Sequence, residues 1–233
     1  MSSPSPFLTK PLFSPRHCAQ LVTKIKKLRP LDSINELVTI GAPLFKNTLR
    51  SEDPSLTKIK NHNQFMTEHF SSEINHLKKA LEHTLSHPVK LYDQLPSPGF
   101  YAIPCPPGIT NVENFHIDDD SPLIETLLDI KFDQPITKYY PFTIMLTSHP
   151  NVSSGIYYIL NTKLQSNEQL KYLSHKKKLA LSRIFTYQQG HLHLHSQRMP
   201  HNIMNRNDTN DKYLRITIQG TVCWHEDHFI LSW

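Results

Sequence analysis

Cysteine is scarce and badly spaced for cross-linking: Cys18, Cys105 and Cys223 are odd in number, far apart, and include no Cys-x-x-Cys pair. Such a set builds neither a disulfide framework nor a structural zinc site, and it implies a reducing compartment. Long apolar runs are missing as well. No window approaches the roughly eighteen apolar residues of a membrane span, and the opening MSSPSPFLTKPLF lacks the continuous apolar segment of a signal peptide. The expectation is a soluble, cytoplasmic protein with no membrane association. Strong charge of one sign is also absent. Lys and Arg outnumber Asp and Glu by 25 to 20, and the clearest basic run is HKKK at 175–178, with no Arg-rich tract or interleaved aromatics. A nucleic-acid partner is therefore not expected. There is no internal repeat, low-complexity tract or flexible linker.

What remains is ordinary globular material. With 38% hydrophobic and 19% charged residues over 233 positions, the chain has apolar substance for a core and is read as a single domain. Residues 1–95 read as a mainly helical support. SPRHCAQLVTKIKKL opens with a Ser-Pro helix start and spaces Leu21, Ile25 and Leu28 along one face. After Asp53-Pro54, Leu56, Ile59, Phe65, Phe70, Ile74, Leu77 and Leu81 recur mostly at three- or four-residue steps, which predicts a long amphipathic helix broken near Ser71-Ser72. Between the two, LVTIGAPLF reads as a short strand.

From 96 to 233 the texture changes to short β-rich runs punctuated by Pro, Gly and Asn: PGFYAIP, ENFHID, FTIMLTS, GIYYIL, RIFTYQQ, HLHLHS, YLRITIQG and HFILSW. This spacing predicts an antiparallel sandwich or barrel. The fold class expected is mainly β with α.

Within the β region one constellation carries chemistry. On a strand, residues two apart share a face, so His116 and Asp118 would point one way and Ile117 the other, forming half of a metal site. A second histidine is offered downstream by His201 or by the alternating His191, His193 and His195. Further on, Arg215 and Thr217 share a strand face, and a guanidinium fork plus a hydroxyl grips a carboxylate well. Two histidines and one carboxylate on one side of a metal are the mark of non-haem Fe(II) oxygenases. Arg183, Arg198 and Arg206 are alternative clamps without a partner like Thr217. Asp119 and Asp120 read as a solvated continuation of the acidic run. Tyr101, in GFYAIP, is either a core residue or a hydroxyl near the cosubstrate.

In their order, His116-x-Asp118, His201 and Arg215-x-Thr217 resemble the 2-oxoglutarate- and Fe(II)-dependent oxygenases, in particular small bacterial members. LPSPGFYAIP, PFTIMLTS, the glycine-led strand GHLHLHS and RITIQG add to the likeness, which covers roughly 95–233. The resemblance implies a double-stranded β-helix (jelly-roll, cupin-like) core. It further implies Fe(II) on His116, Asp118 and His201, and 2-oxoglutarate held by Arg215 and Thr217, with Tyr101, if it points inward, as the third cosubstrate-binding candidate. Molecular oxygen and a small-molecule substrate would be the other reactants, with succinate and carbon dioxide released. Two other readings use the same barrel: a cupin-like metal-dependent hydrolase or isomerase, and a non-catalytic ligand-binding barrel.

Overall fold

The computed structural model describes residues 7–29, 38–40, 56–111, 115–118, 121–132, 138–159, 166–195 and 199–233. Helix α1 (Pro15–Leu28) begins where Ser-Pro predicts. The Ser14 hydroxyl accepts the His17 N–H at 3.2 Å, and Pro15 sits at the first helical position, where its missing N–H costs nothing. Helix α2 (Leu56–Leu85) is interrupted at Phe70, whose φ of −134° and ψ of 19° leave the helical region one residue before the expected break. The cause lies in packing. Phe70 is drawn into the core against Phe100, with ring centroids 4.6 Å apart.

The support region also supplies three strands: β1 (Phe7–Pro11), β2 (Val38–Ile40) and β3 (Val89–Lys90). Val38–Ile40 belongs to the LVTIGAPLF segment, the remainder of which lies outside the described residues. The following region gives β4 (Gly99–Cys105), β5 (Gly108–Asn111), α3 (Ser121–Leu128), β6 (Tyr139–Met145) and β7 (Val152–Tyr158). Next come two short helices not foreseen from the sequence, α4 (Asn167–Lys171) and α5 (His175–Leu181), the second of which contains HKKK. The chain continues through β8 (Arg183–Thr186), β9 (His191–His195), β10 (His201–Asn207), β11 (Tyr213–His225) and β12 (His228–Ser232).

Among the described residues the strands form two sheets. In the larger, β11 pairs with β6 along one edge and with β4 and then β12 along the other; β9 and β1 continue beyond β6, β2 flanks β4, and β3 pairs parallel to β12. The smaller sheet runs β5-β10-β7-β8, all antiparallel. The protein is thus mainly β with helices, built on mixed and antiparallel sheets. No helix among the described residues is long and apolar enough to cross a membrane.

Alternation along each strand divides the larger sheet into two chemistries. Leu192, Leu194, Ile216 and Ile218 join Leu21, Ile25, Met66, Phe70, Leu77 and Leu81 in one buried cluster, so this face packs under α1 and α2. Each fully buried aliphatic side chain there contributes roughly 1.5–3 kcal/mol. The intervening positions, His193 and His195 on β9 and Arg215 and Thr217 on β11, belong to the other face and are buried too. A second apolar cluster, including Phe7, Met145, Ile156 and Tyr187, joins the two sheets.

Candidate metal centre

His116 stands outside the regular strands and forms a single-residue bridge with His201, the first residue of β10. Each donates its main-chain N–H to the other's carbonyl, at 2.9 and 2.8 Å. This pairing brings together two imidazoles that are far apart in sequence, with ring centroids 4.5 Å apart. Asp118 follows on the same side. Its Oδ1 lies 3.5 Å from His116 Nε2 and its Oδ2 lies 3.5 Å from His201 Nε2. One nitrogen or oxygen from each of the three residues falls within 4.8 Å of the others.

The donor set fits a divalent cation. His201 Nδ1 lies 3.0 Å from the Met199 carbonyl, an acceptor only, so Nδ1 carries the proton and Nε2 presents its lone pair. A separation of 3.5 Å from the carboxylate is longer than a charge-assisted hydrogen bond and short enough for both atoms to share one ion. Burial raises the Asp118 pKa, but the neighbouring His201, His116 and His195 outweigh it and hold the carboxyl well below its ordinary range. The group is therefore a carboxylate at neutral pH.

His195 lies beside this cluster rather than in it, its ring 5.4 Å from that of His201 and its edge against Phe7. Burial, reinforced by His201, pushes its pKa down to about 3, so the ring is neutral. His193 is tied to the Thr9 hydroxyl through Nδ1 at 3.1 Å and receives the Gln188 N–H on Nε2 at 3.0 Å. His191 bonds the Gln189 carbonyl at 3.0 Å. The last two are thus occupied in holding the strand and its entry turn.

Burial pushes the His193 pKa from 6.5 down to about 4, with Gln188 pulling it partly back and His191 adding to the push. The unfolded chain takes up this proton first as pH falls. The associated stability is complete above pH 6.5 and drains away toward pH 4, by up to roughly 3 kcal/mol. Thermal melts between pH 7 and 4 should show this loss, and His193→Gln should flatten the slope over that window. An equal slope in both proteins would assign the acid sensitivity to other groups.

A cavity of about 80 Å³ adjoins the His-Asp-His cluster and is lined by Tyr101, Tyr187, Arg215, Gln219 and Trp233 among others. Arg215 is completely buried, its guanidinium carbon 5.4 Å from the centroid of the Tyr187 ring. Burial pushes the Tyr187 phenol up to about 12 even against the nearby Arg215 charge, so it stays a neutral donor. Thr217 is buried on the same face, and its Oγ1 accepts from Gln219 Nε2 at 3.1 Å. Tyr101 is paired in register with Thr217 across β4 and β11 and packs edge-on to Trp233. Trp233 in turn lies against the bare backbone of Gly99, where a Cβ would come within 2.3 Å of its ring. Of the alternative clamps, Arg206 is exposed and ion-paired with Asp208 at 2.9 Å, and Arg183 is exposed on β8. Arg198, Asp119 and Asp120 lie outside the described residues. Gln219 and Tyr187 are cavity residues that the sequence reading missed. Gln219 had a legible signal, since it continues the Arg215, Thr217 alternation by one step.

No family model and no curated protein matches this chain at the sequence level. Solved structures do match. HygX from Streptomyces hygroscopicus, crystallised with nickel and 2-oxoglutarate bound, superposes over 92% of this chain and 81% of its own with a TM-score of 0.50 at 11% identity. The chain thus shares its fold with HygX. AviO1 from Streptomyces viridochromogenes Tue57 matches this chain over 91% of its length and 88% of AviO1, with a TM-score of 0.49 and 13% identity. SnoN, a non-haem α-ketoglutarate-dependent epimerase of nogalamycin biosynthesis, covers 97% of this chain and 90% of its own, with a TM-score of 0.47 and 8% identity.

Proposed function

We propose that this protein is a non-haem Fe(II)- and 2-oxoglutarate-dependent dioxygenase that oxidises a small molecule and releases succinate and carbon dioxide. The observation that carries this reading is the convergence of His116, Asp118 and His201 beside a cavity with the buried cation Arg215 in its wall. Sorting of β4, β6, β9 and β11 into one sheet and β5, β7, β8 and β10 into the other supports a double-stranded β-helix core. The HygX structure, which holds nickel and 2-oxoglutarate, supports a divalent metal and this cosubstrate.

In this reading His116, Asp118 and His201 would hold the iron, and Arg215, Thr217 and Tyr101 would hold the cosubstrate. Iron and 2-oxoglutarate together supply the oxidising power. The chain's own residues orient and exclude. Met199 fixes the His201 tautomer by holding Nδ1–H, which leaves the lone pair on Nε2, and Asp118 stays ionised among its imidazoles. Arg215 grips the distal carboxylate with its planar fork, while the Thr217 hydroxyl, already accepting from Gln219, has its proton to donate. Ile156 and Ile203 add apolar side chains to the cavity wall. At about 80 Å³ the cavity is far below the roughly 300–1,000 Å³ of sites that engulf a drug-sized ligand. It therefore suits a compact cosubstrate, with the substrate at its mouth. Because Asp118 keeps a carboxylate in the ligand set, hydroxylation or desaturation is the outcome proposed.

The test is anaerobic titration of the Fe(II)-loaded protein with 2-oxoglutarate. A weak visible charge-transfer band is expected in the wild type and not in His116→Ala. Bound iron without a band would reject the cosubstrate and turn attention to Lewis-acid hydrolysis or isomerisation on the same ligands.

A further inference from the structure

Ile117, between the two proposed ligands His116 and Asp118, has both of its main-chain groups taken by a single side chain. Its N–H donates to Asn167 Oδ1 at 2.8 Å, and its carbonyl accepts from Asn167 Nδ2 at 3.0 Å. Successive residues of an extended chain direct their main-chain groups to opposite sides. His116 uses one side, exchanging both hydrogen bonds with His201. Ile117 uses the other, where Asn167 takes the place of a neighbouring strand.

We propose that Asn167 is a positioning residue for the metal centre, a role that rests on the metal-binding reading above. Without it, the His116 peptide is fixed to β10 on one side only, and the peptide that leads to Asp118 is free to turn. The carboxylate would then lose its placement 3.5 Å from each imidazole. Asn167 is itself well anchored. It is the first residue of α4, which Ser166 starts with a reciprocal capping box to Gln169, and Leu170 secures that helix by burial. The short helix between β7 and β8 thereby reaches the ligand-bearing segment, fifty residues earlier in the chain.

Asn167 is exposed, so truncation leaves no buried hole. That separates positioning from stability. Co(II) titration of the apo-protein, followed by the metal's visible d–d band, reads the geometry and affinity of the site without turnover. Asn167→Ala is expected to bind Co(II) about tenfold more weakly with an altered band, at an unchanged apo melting temperature, as outer partners of metal ligands typically act. Glu168→Ala, which removes only the neighbouring exposed ion pair with Lys171, is expected to match the wild type in affinity and band. Wild-type Co(II) affinity and spectrum in Asn167→Ala would overturn the proposal. So would equal weakening in both variants with a lowered melting temperature, since that would mean Asn167 only holds the helix. If the wild type binds no Co(II) at all, the metal-binding reading fails and this inference falls with it.

Discussion

Asp118→Ala is expected to lose iron and turnover together. Among the described residues Asp118 is the only carboxylate in the cluster, and its two oxygens address different imidazoles. Removing it leaves two neutral nitrogen donors facing a hard dication, without the anion that offsets its charge. Outer partners of metal ligands alone are worth 10–100-fold in affinity, so loss of a direct ligand should exceed about a hundredfold. Iron content after anaerobic reconstitution and succinate formation are the two readouts. The apo-protein should remain folded, because the Asp118 side chain is partly exposed, at 27%. A variant that retained iron stoichiometrically and still turned over would remove Asp118 from the metal and leave the bridge between His116 and His201 as a purely structural pairing.

Arg215→Ala should weaken 2-oxoglutarate binding by on the order of a hundredfold while leaving iron binding in place. Hydrogen bonds to charged groups contribute about 1.5–3 kcal/mol each, and a planar fork makes two. Arg215→Lys keeps the charge and loses the fork, so it should recover only part of the affinity. Truncation of a completely buried arginine also opens a void against Tyr187, and the apo melting temperature must be followed alongside. Isothermal titration of the iron-loaded variants with 2-oxoglutarate separates the effects. Unaltered cosubstrate affinity in a folded Arg215→Ala would take the clamp away from β11.

The features legible in the sequence are those that local patterning dictates. Ser14-Pro15 marked the start of α1 because cap and imino acid act within one turn. Short β-rich runs between Pro, Gly and Asn marked β4, β6, β7, β9, β11 and β12, and alternation sorts their side chains between two faces. It also placed Arg215 and Thr217 together. The break in α2 was legible to within a residue, but its cause was not. Ser71-Ser72 offered a local reason, whereas Phe70 left the helix to meet Phe100, a contact between distant elements. Strand β1 was hidden because exposed Leu8 and Pro11 give it no strand pattern, and pairing with β9 is what makes it extended. Helices α4 and α5 are too short to show a period, and their serine caps are the only signal they carry. Between His195 and His201 the sequence offered family pattern alone. In three dimensions His201 shares a main-chain bridge with His116, and His195 stands one ring away. Asn167 was invisible, since a side chain bonding to a distant backbone leaves no periodicity.

The 13-residue strand β11 is paired on both edges through its centre, whereas the His116 segment is held by one bridge and one side-chain amide. Local opening is cheapest where such ties are fewest. Amide protons around Arg215 and Thr217 are therefore expected to exchange through larger openings than those around Ile117, which a smaller, more frequent excursion would expose. The wall proposed to receive the cosubstrate would then be as durable as the fold itself, and a metal on the proposed ligands could come and go through a motion that leaves that wall standing.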